Sequence, residues 1–257
     1  MRVTTFRTPA SEPRAIGRAV VSATTLLAVL VVTAPLAGQQ EDRTLADRAT
    51  RAGEVLSELV AVPDHAPPVS LLAQATCVAV VPGVIQAGFG FGGRAGFGLA
   101  SCRTKHGWSW PSYVGLKGGS FGLQIGAQSA DVVLIFVNEN APRTIATSSL
   151  DLGAAASVAA GPVGRDVSAA TDYKAQAEIY SYSKSKGLFA GIKISGTKWE
   201  IDYGANKKAF ANAPADLRGG TRSSVARLFT MDGSAAPAIV KPFLESLAKN
   251  VSARKTS

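Results

Sequence analysis

Residues 77–203 contain no sustained helical period. Short apolar runs alternate there with Gly, Ser, Asn and Pro, which is the texture of many β-strands rather than of a helical domain. The runs predict strands at 77–81, 94–103, 113–116, 122–128, 131–137, 155–160, 177–183, 188–195 and 199–203. Between two of them, SKSKG at 183–187 predicts a hairpin turn in which Gly187 takes a positive φ. The stretch AGFGFGGRAGFGLASCR at 87–103 is the densest in glycine, and glycine beside strands permits bulges, bends and close approach of a second backbone. It predicts a bend, with Phe89, Phe91, Phe97 and Leu99 as inner wall.

Helical spacing flanks this body. Leu45, Ala49, Ala52, Leu56 and Leu59 recur at steps of four and three, with Val55 and Val60 widening the stripe, so a helix is expected over 42–60. The segment PDHAPP at 63–68 stops it, and one or two further helical turns are expected over 69–76. Ile239, Phe243, Leu244 and Leu247 restore a helical period within 205–250. The expected fold is therefore α+β: a strongly curved antiparallel β-sheet or barrel-like β-body flanked by an N-terminal amphipathic helix and C-terminal helices. A single domain over 39–250 accommodates these elements.

Residues 1–38 read as a targeting segment. Arg2, Arg7, Arg14 and Arg18 precede an apolar run at 19–37 that ends in small residues, the order of a secretory signal. The run is also nearly long enough to stay as a membrane anchor. Export to the periplasm, the membrane surface or the medium is the expected outcome.

The net charge of +9 is unevenly placed. Residues 39–206 balance fourteen basic groups with fourteen acidic ones, while 207–257 carry nine against three. A nucleic-acid groove across a neutral body is not expected, and 251–257 form a basic tail. In an oxidising compartment Cys77 and Cys102 invite a disulfide across a loop of roughly 25 residues, worth about 3 kcal/mol, with two buried thiols as the alternative. His106 stands near Cys102, but no second ligand pair completes a zinc site, so no metal or other cofactor is expected.

Two motifs suggest chemistry that their surroundings do not support. Gly88, Gly90 and Gly93 match the dinucleotide fingerprint, yet a strand-like pattern follows instead of a helix, and 99–117 hold no Asp or Glu. Gly118, Ser120 and Gly122 match a nucleophile elbow, yet both histidines, His65 and His106, precede the serine. The acidic residues are scattered; Asp131 and Asp202 stand beside strands, where structural use at strand ends and turns is expected.

Several ordered motifs carry a family likeness: VVPGVIQAGF at 80–89, WSWPS at 108–112, GSFGLQIG at 119–126, DVVL at 131–134, AGPVGR at 160–165 and YSYSKSKGLFAG at 180–191. Together they resemble the SYLF family, also called the Ysc84 actin-binding or lipid-binding SYLF domain, here as a bacterial exported member. The resemblance implies a non-enzymatic domain that binds lipid. Eukaryotic relatives bind phosphoinositide membranes through a lysine-bearing N-terminal helix, and yeast members also bind actin.

On that basis the lipid-binding residues are expected to be Leu45, Arg48, Arg51, Leu56 and Leu59 of the helix, with Lys184 and Lys186 of the hairpin. The partner is an anionic phospholipid or membrane surface. The helix region is itself slightly acidic, which weakens electrostatic capture by it, and its apolar stripe has a second use, packing on the β-body. The alternative function is a structural or protein-interaction module of the envelope that presents the loop 105–111, with Trp108 and Trp110, to a protein partner.

Overall fold

A computed structural model describes residues 45–146, 149–152, 158–164, 177–185, 187–192, 194 and 196–251, with the backbone alone at 89–91 and 120–126. The segment 1–38 expected to be a targeting signal, the start of the first helix before Leu45, the strand positions 155–157, Lys186, the tail beyond Val251 and the side chains of Phe89 and Phe91 lie outside the described residues. Among the described residues, no helix is long and apolar enough to cross a membrane.

The first helix, α1 (Leu45–Ala61), forms where the four-and-three spacing places it and ends two residues before Pro63. Ala49, Ala52, Val55, Leu56 and Leu59 are buried. The connector leads to a short helix α2 (Val69–Gln74).

Strand β1 (Cys77–Thr104) then runs without interruption through the glycine-rich stretch, joining two runs expected as separate strands. The hairpin strand β2 (Gly107–Trp108) leads to β3 (Ser112–Phe136), which joins three more. β1 and β3 pair antiparallel from Cys77 opposite Phe136 to Ala100 opposite Ser112, with register shifts between Val81 and Val84 and between Phe89 and Gly90.

A straight strand as long as β1 would span about 90 Å, yet its two ends meet. Cys77 and Cys102 form a disulfide, and the Arg103 N–H donates to Thr76 O at 2.7 Å. A Cβ placed on Gly98 would sit 1.9 Å from Val80 O, and one on Gly96 would sit 2.7 Å from Val84 Cγ2. Glycine is thus required where one arm of β1 lies against the other. The expected bend is present, and the literal dinucleotide fingerprint falls inside a strand with no helix after it.

The outer edge of β3 is shared by two strands. Its first part pairs with β8 (Thr197–Ile201) and its last part with β6 (Ile179–Ser185). β4 (Ser149–Asp151) adds to β8, and β7 (Leu188–Gly191) returns on β6 through the expected turn, with Gly187 at φ 91°. Among the described residues the curled sheet has eight strands. It departs from an all-antiparallel arrangement at β5 (Val158–Ala160), which pairs parallel with β6. Strands β2 and β4 have too few residues to show alternation, and the expected strand at 199–203 stops at Ile201 because Asp202 caps a helix, accepting from the Ala205 N–H at 2.9 Å.

The further α-helices among the described residues are α3 (Ala141–Ile145), α4 (Tyr203–Ala209), α5 (Arg222–Leu228) and α6 (Lys241–Asn250). Side chains alternate across the sheet into two cores. One contains Leu99, Tyr113 and Tyr182 with α1 and α6. The other holds the disulfide with Leu134, Phe136, Trp199 and Phe229. Against α6, α1 brings Gly53 so near that a Cβ would lie 2.8 Å from Pro242 O. Ser246 Oγ donates to Gly53 O at 2.6 Å beside this contact.

Candidate membrane-facing site

The apolar stripe of α1 is part of the core. Leu56 and Leu59 are fully buried, and Leu45 packs against the same cluster while its carbonyl accepts from Tyr113 Oη at 3.0 Å. Of the two uses the sequence left open, packing on the β-body is the one observed, because α6 and β1 cover the helix. Leu56 and Leu59 in this fold have no surface to offer a bilayer.

Arg48 is also inside. Its side chain is 10% exposed, Nη1 donates to Asp202 Oδ2 at 3.2 Å, and the guanidinium lies over the rings of Phe97 and Tyr113 at 5.2 and 5.7 Å. This is a structural ion pair between the first helix and the cap of α4, unavailable to a lipid phosphate. Asp131 and Asp202, considered together from the sequence, bind different arginines.

Arg51 and Lys184 do come together. Arg51 donates to Glu54, Glu58 and Asp131 at 3.1, 3.2 and 3.3 Å. Lys184 Nζ bonds to Glu58 Oε2, and Asp131 Oδ1 accepts from the Gly83 N–H at 2.9 Å, where the register of β1 shifts. The hydrogen bond from Lys184 holds the Glu58 carboxyl below its ordinary pKa. Two cations thus face three carboxylates, and Arg51, Lys184 and Asp131 line an open cleft of about 260 Å³. The cluster ties α1 to the β6–β7 hairpin and carries no surplus positive charge.

What the sequence reading missed lies just beyond that tie. Val62, Val69, Val163 and Leu188 are 45%, 75%, 46% and 54% exposed. Their segments are bound to one another. The Gly164 N–H donates to Ala66 O at 3.1 Å, joining the loop of Val163 to the connector that holds Val62 and Val69. Tyr182 Oη donates to Pro162 O at 2.7 Å, joining that loop to β6. Lys184 bonds to Glu58, about one helical turn before Val62, and Leu188 starts the strand that returns from the same hairpin. The signal available in sequence was the apolar residue next to each turn: Val62 before Pro63, Val69 after Pro68, Val163 after Pro162 and Leu188 after Gly187.

Trp108 and Trp110 are packed, not displayed. Arg103 stacks over Trp108 at 4.6 Å, and Trp110 lies 5.7 Å from Phe210. Beside Trp108 a recess of about 430 Å³ opens, with Leu244, Ala248 and Val251 in its wall and His106, Asp232, Lys241 and Glu245 around it.

Comparison with known proteins gives the chain its kin. The family model described as "Las17-binding protein actin regulator" (Ysc84) matches residues 117–249, from β3 to α6. An SH3 domain-containing YSC84-like protein 1 from Xenopus laevis is 36% identical over 160 residues, covering 60% of this chain and 48% of the relative. LAS seventeen-binding protein 3 of Saccharomyces cerevisiae is 34% identical over 179 residues, 66% of this chain and 39% of the relative. Protein YSC84 of the same species is 37% identical over 153 residues, 58% of this chain and 32% of the relative. The chain thus spans less than half the length of these relatives. The match from within β3 to α6, over more than half of the chain, makes this chain a member of the Ysc84 family.

Proposed function

We propose that this chain is a non-enzymatic, lipid-binding module of the cell envelope that docks on anionic membrane surfaces. The observation that carries the reading is the set of exposed aliphatic side chains, Val62, Val69, Val163 and Leu188, at the ends of mutually bonded segments that include the Lys184 hairpin. Turns that place single aliphatic side chains in the headgroup boundary gain apolar burial without unfolding the domain. Full burial of one such side chain is worth roughly 1.5–3 kcal/mol. Since each is already partly covered, about 1 kcal/mol apiece is expected, giving reversible attachment. Lys186, next in sequence to this surface, adds about 1 kcal/mol near anionic lipid.

The relatives' names speak of Las17 and actin; an exported chain meets neither, and the resemblance to lipid-binding SYLF domains supports the membrane instead. Co-sedimentation with vesicles of phosphatidylcholine and phosphatidylglycerol tests the reading. The mature protein pellets at low salt, and V62D or L188D lowers apparent affinity about tenfold. Absence of pelleting by the unmutated protein removes the proposal.

A second reading, recognition of an envelope protein, is favoured by the recess beside Trp108, whose apolar wall and mixed-charge rim suit a protein side chain. Its test is A248W, which fills the recess: lost pull-down with unchanged vesicle binding supports it, and unchanged pull-down removes it.

A further inference from the structure

The two arms of β1 face each other in a series of contacts that ends on polar side chains. Inward from the disulfide, Val80 meets Gly98 and Val84 meets Gly96. The next rung is Gln86 with Arg94, whose Nη2 donates to Gln86 Oε1 at 3.3 Å. Nη1 of the same guanidinium donates to Thr197 Oγ1 at 3.2 Å. Register explains this reach: Arg94 stands opposite Gly118, and Gly118 stands opposite Thr197. The arginine therefore passes a strand position without a side chain, crossing two inter-strand spacings, about 9–10 Å.

A guanidinium has five N–H donors and no acceptor. Here two are spent on neutral oxygens, and Nε is buried with no partner. Arg48 and Arg51 each meet carboxylates; among the described residues, no carboxylate pairs with Arg94. Burial pulls its pKa below the ordinary arginine value. Partly buried charges are normally paired, and buried donors are normally bonded. Arg94 breaks both rules while two fixed neighbours hold it in place and part of its side chain stays exposed.

We infer that Arg94, oriented by Gln86 and Thr197 at the open end of the second core, anchors a binding site for a phosphate-type oxyanion. The planar fork of arginine matches such a group, and its orientation is already set before the anion arrives. The anion is either the phosphate of a lipid headgroup or a free phosphate, and the site does not depend on the aliphatic turns proposed to face the membrane.

The test follows the Arg94 Nε–H resonance of the full chain by NMR, at fixed ionic strength. One arm titrates inorganic phosphate, a second short-chain phosphatidic acid and a third short-chain phosphatidylcholine, with sodium chloride as control. A saturable shift with inorganic phosphate supports a free-phosphate site. A shift with phosphatidic acid alone supports a lipid phosphate. R94K keeps the charge and removes the Nε–H and the fork; it lowers affinity at least tenfold, read from the amides of Gly118 and Thr197. No saturable shift in the unmutated protein, or the same shift with chloride, overturns the inference, and does so even if the variant fails to fold. Lost vesicle pelleting with an intact Arg94 response would remove the membrane-docking proposal and leave this one standing.

Discussion

Replacing Leu56 by Ala separates the two uses of the α1 stripe. Leu56 is fully buried in the core that α1 shares with α6 and β1. Truncation removes its packing and leaves a cavity, and at such sites Leu→Ala costs about 3 kcal/mol. For a domain of this size, that lowers the melting temperature by roughly 6–12 °C. Calorimetry reads this shift, and vesicle co-sedimentation well below the new midpoint reads function. If the stripe is core, the variant melts early and pellets within twofold of the parent, since Val62, Val69, Val163 and Leu188 are untouched. If the stripe leaves the body to enter lipid, the variant melts within a degree of the parent and loses pelleting. That second outcome would refute the reasoning, because it requires Leu56 to be solvent-exposed in the free protein.

Four further perturbations test the frame. The disulfide spans a sequence separation of 25; C77A/C102A removes about 3 kcal/mol by chain entropy, and a calorimetric shift under 2 °C would show that packing alone holds the arms of β1 together. Gly98→Ala places a Cβ 1.9 Å from Val80 O, whereas one at Gly119 meets nothing within 4 Å; denaturant melts should show a loss of about 4 kcal/mol for the first and under about 0.5 for the second. Arg48→Met breaks the pair with Asp202 and should cost about 2 kcal/mol; near-additivity with Asp202→Asn in a double-mutant cycle would show that the pair contributes nothing. Glu58 has a depressed pKa from its hydrogen bond to Lys184, so its contribution is full above the unfolded-state value and fades as pH falls through the lower folded one. Amide protection factors in the β6–β7 hairpin, corrected for the intrinsic pH dependence of exchange, should fall below about pH 4, and E58Q should abolish that fall.

The elements were more legible in sequence than their closure. Helical spacing located α1, and the turn at Gly187 and the cysteine pair were readable because each is a local or compartmental signal. The continuity of β1 and β3 was hidden by glycine, which interrupts apolar alternation without interrupting a strand. The parallel partner β5 depends on a crossover whose ends are distant in sequence. Periodicity showed that α1 has an apolar face but could not say whether protein or lipid covers it. The aliphatic turns were overlooked because single valines beside prolines have no period at all.

The arginines show the same limit more sharply. In sequence Arg48 and Arg51 were both candidate lipid ligands, Arg51 alone at a position where the resemblance expects a basic residue, and Arg94 was only one letter in a glycine-rich strand. The fold assigns them by their partners. Arg48 is neutralised by Asp202, 154 positions away, and Arg51 by Glu54 and Glu58 of its own helix together with Asp131, 80 positions away. Arg94 instead reaches Thr197, 103 positions away, and finds an alcohol where the other two find acids. A cation that already has its carboxylate must give up that pair to bind a ligand, which costs more than the exposed contact returns. A cation held by neutral oxygens gives up little, so its unused donors favour an incoming anion. Positive charge alone is therefore a poor guide to an anion site in this family member; the missing counter-charge is the discriminating feature, and long-range pairing decides where it falls.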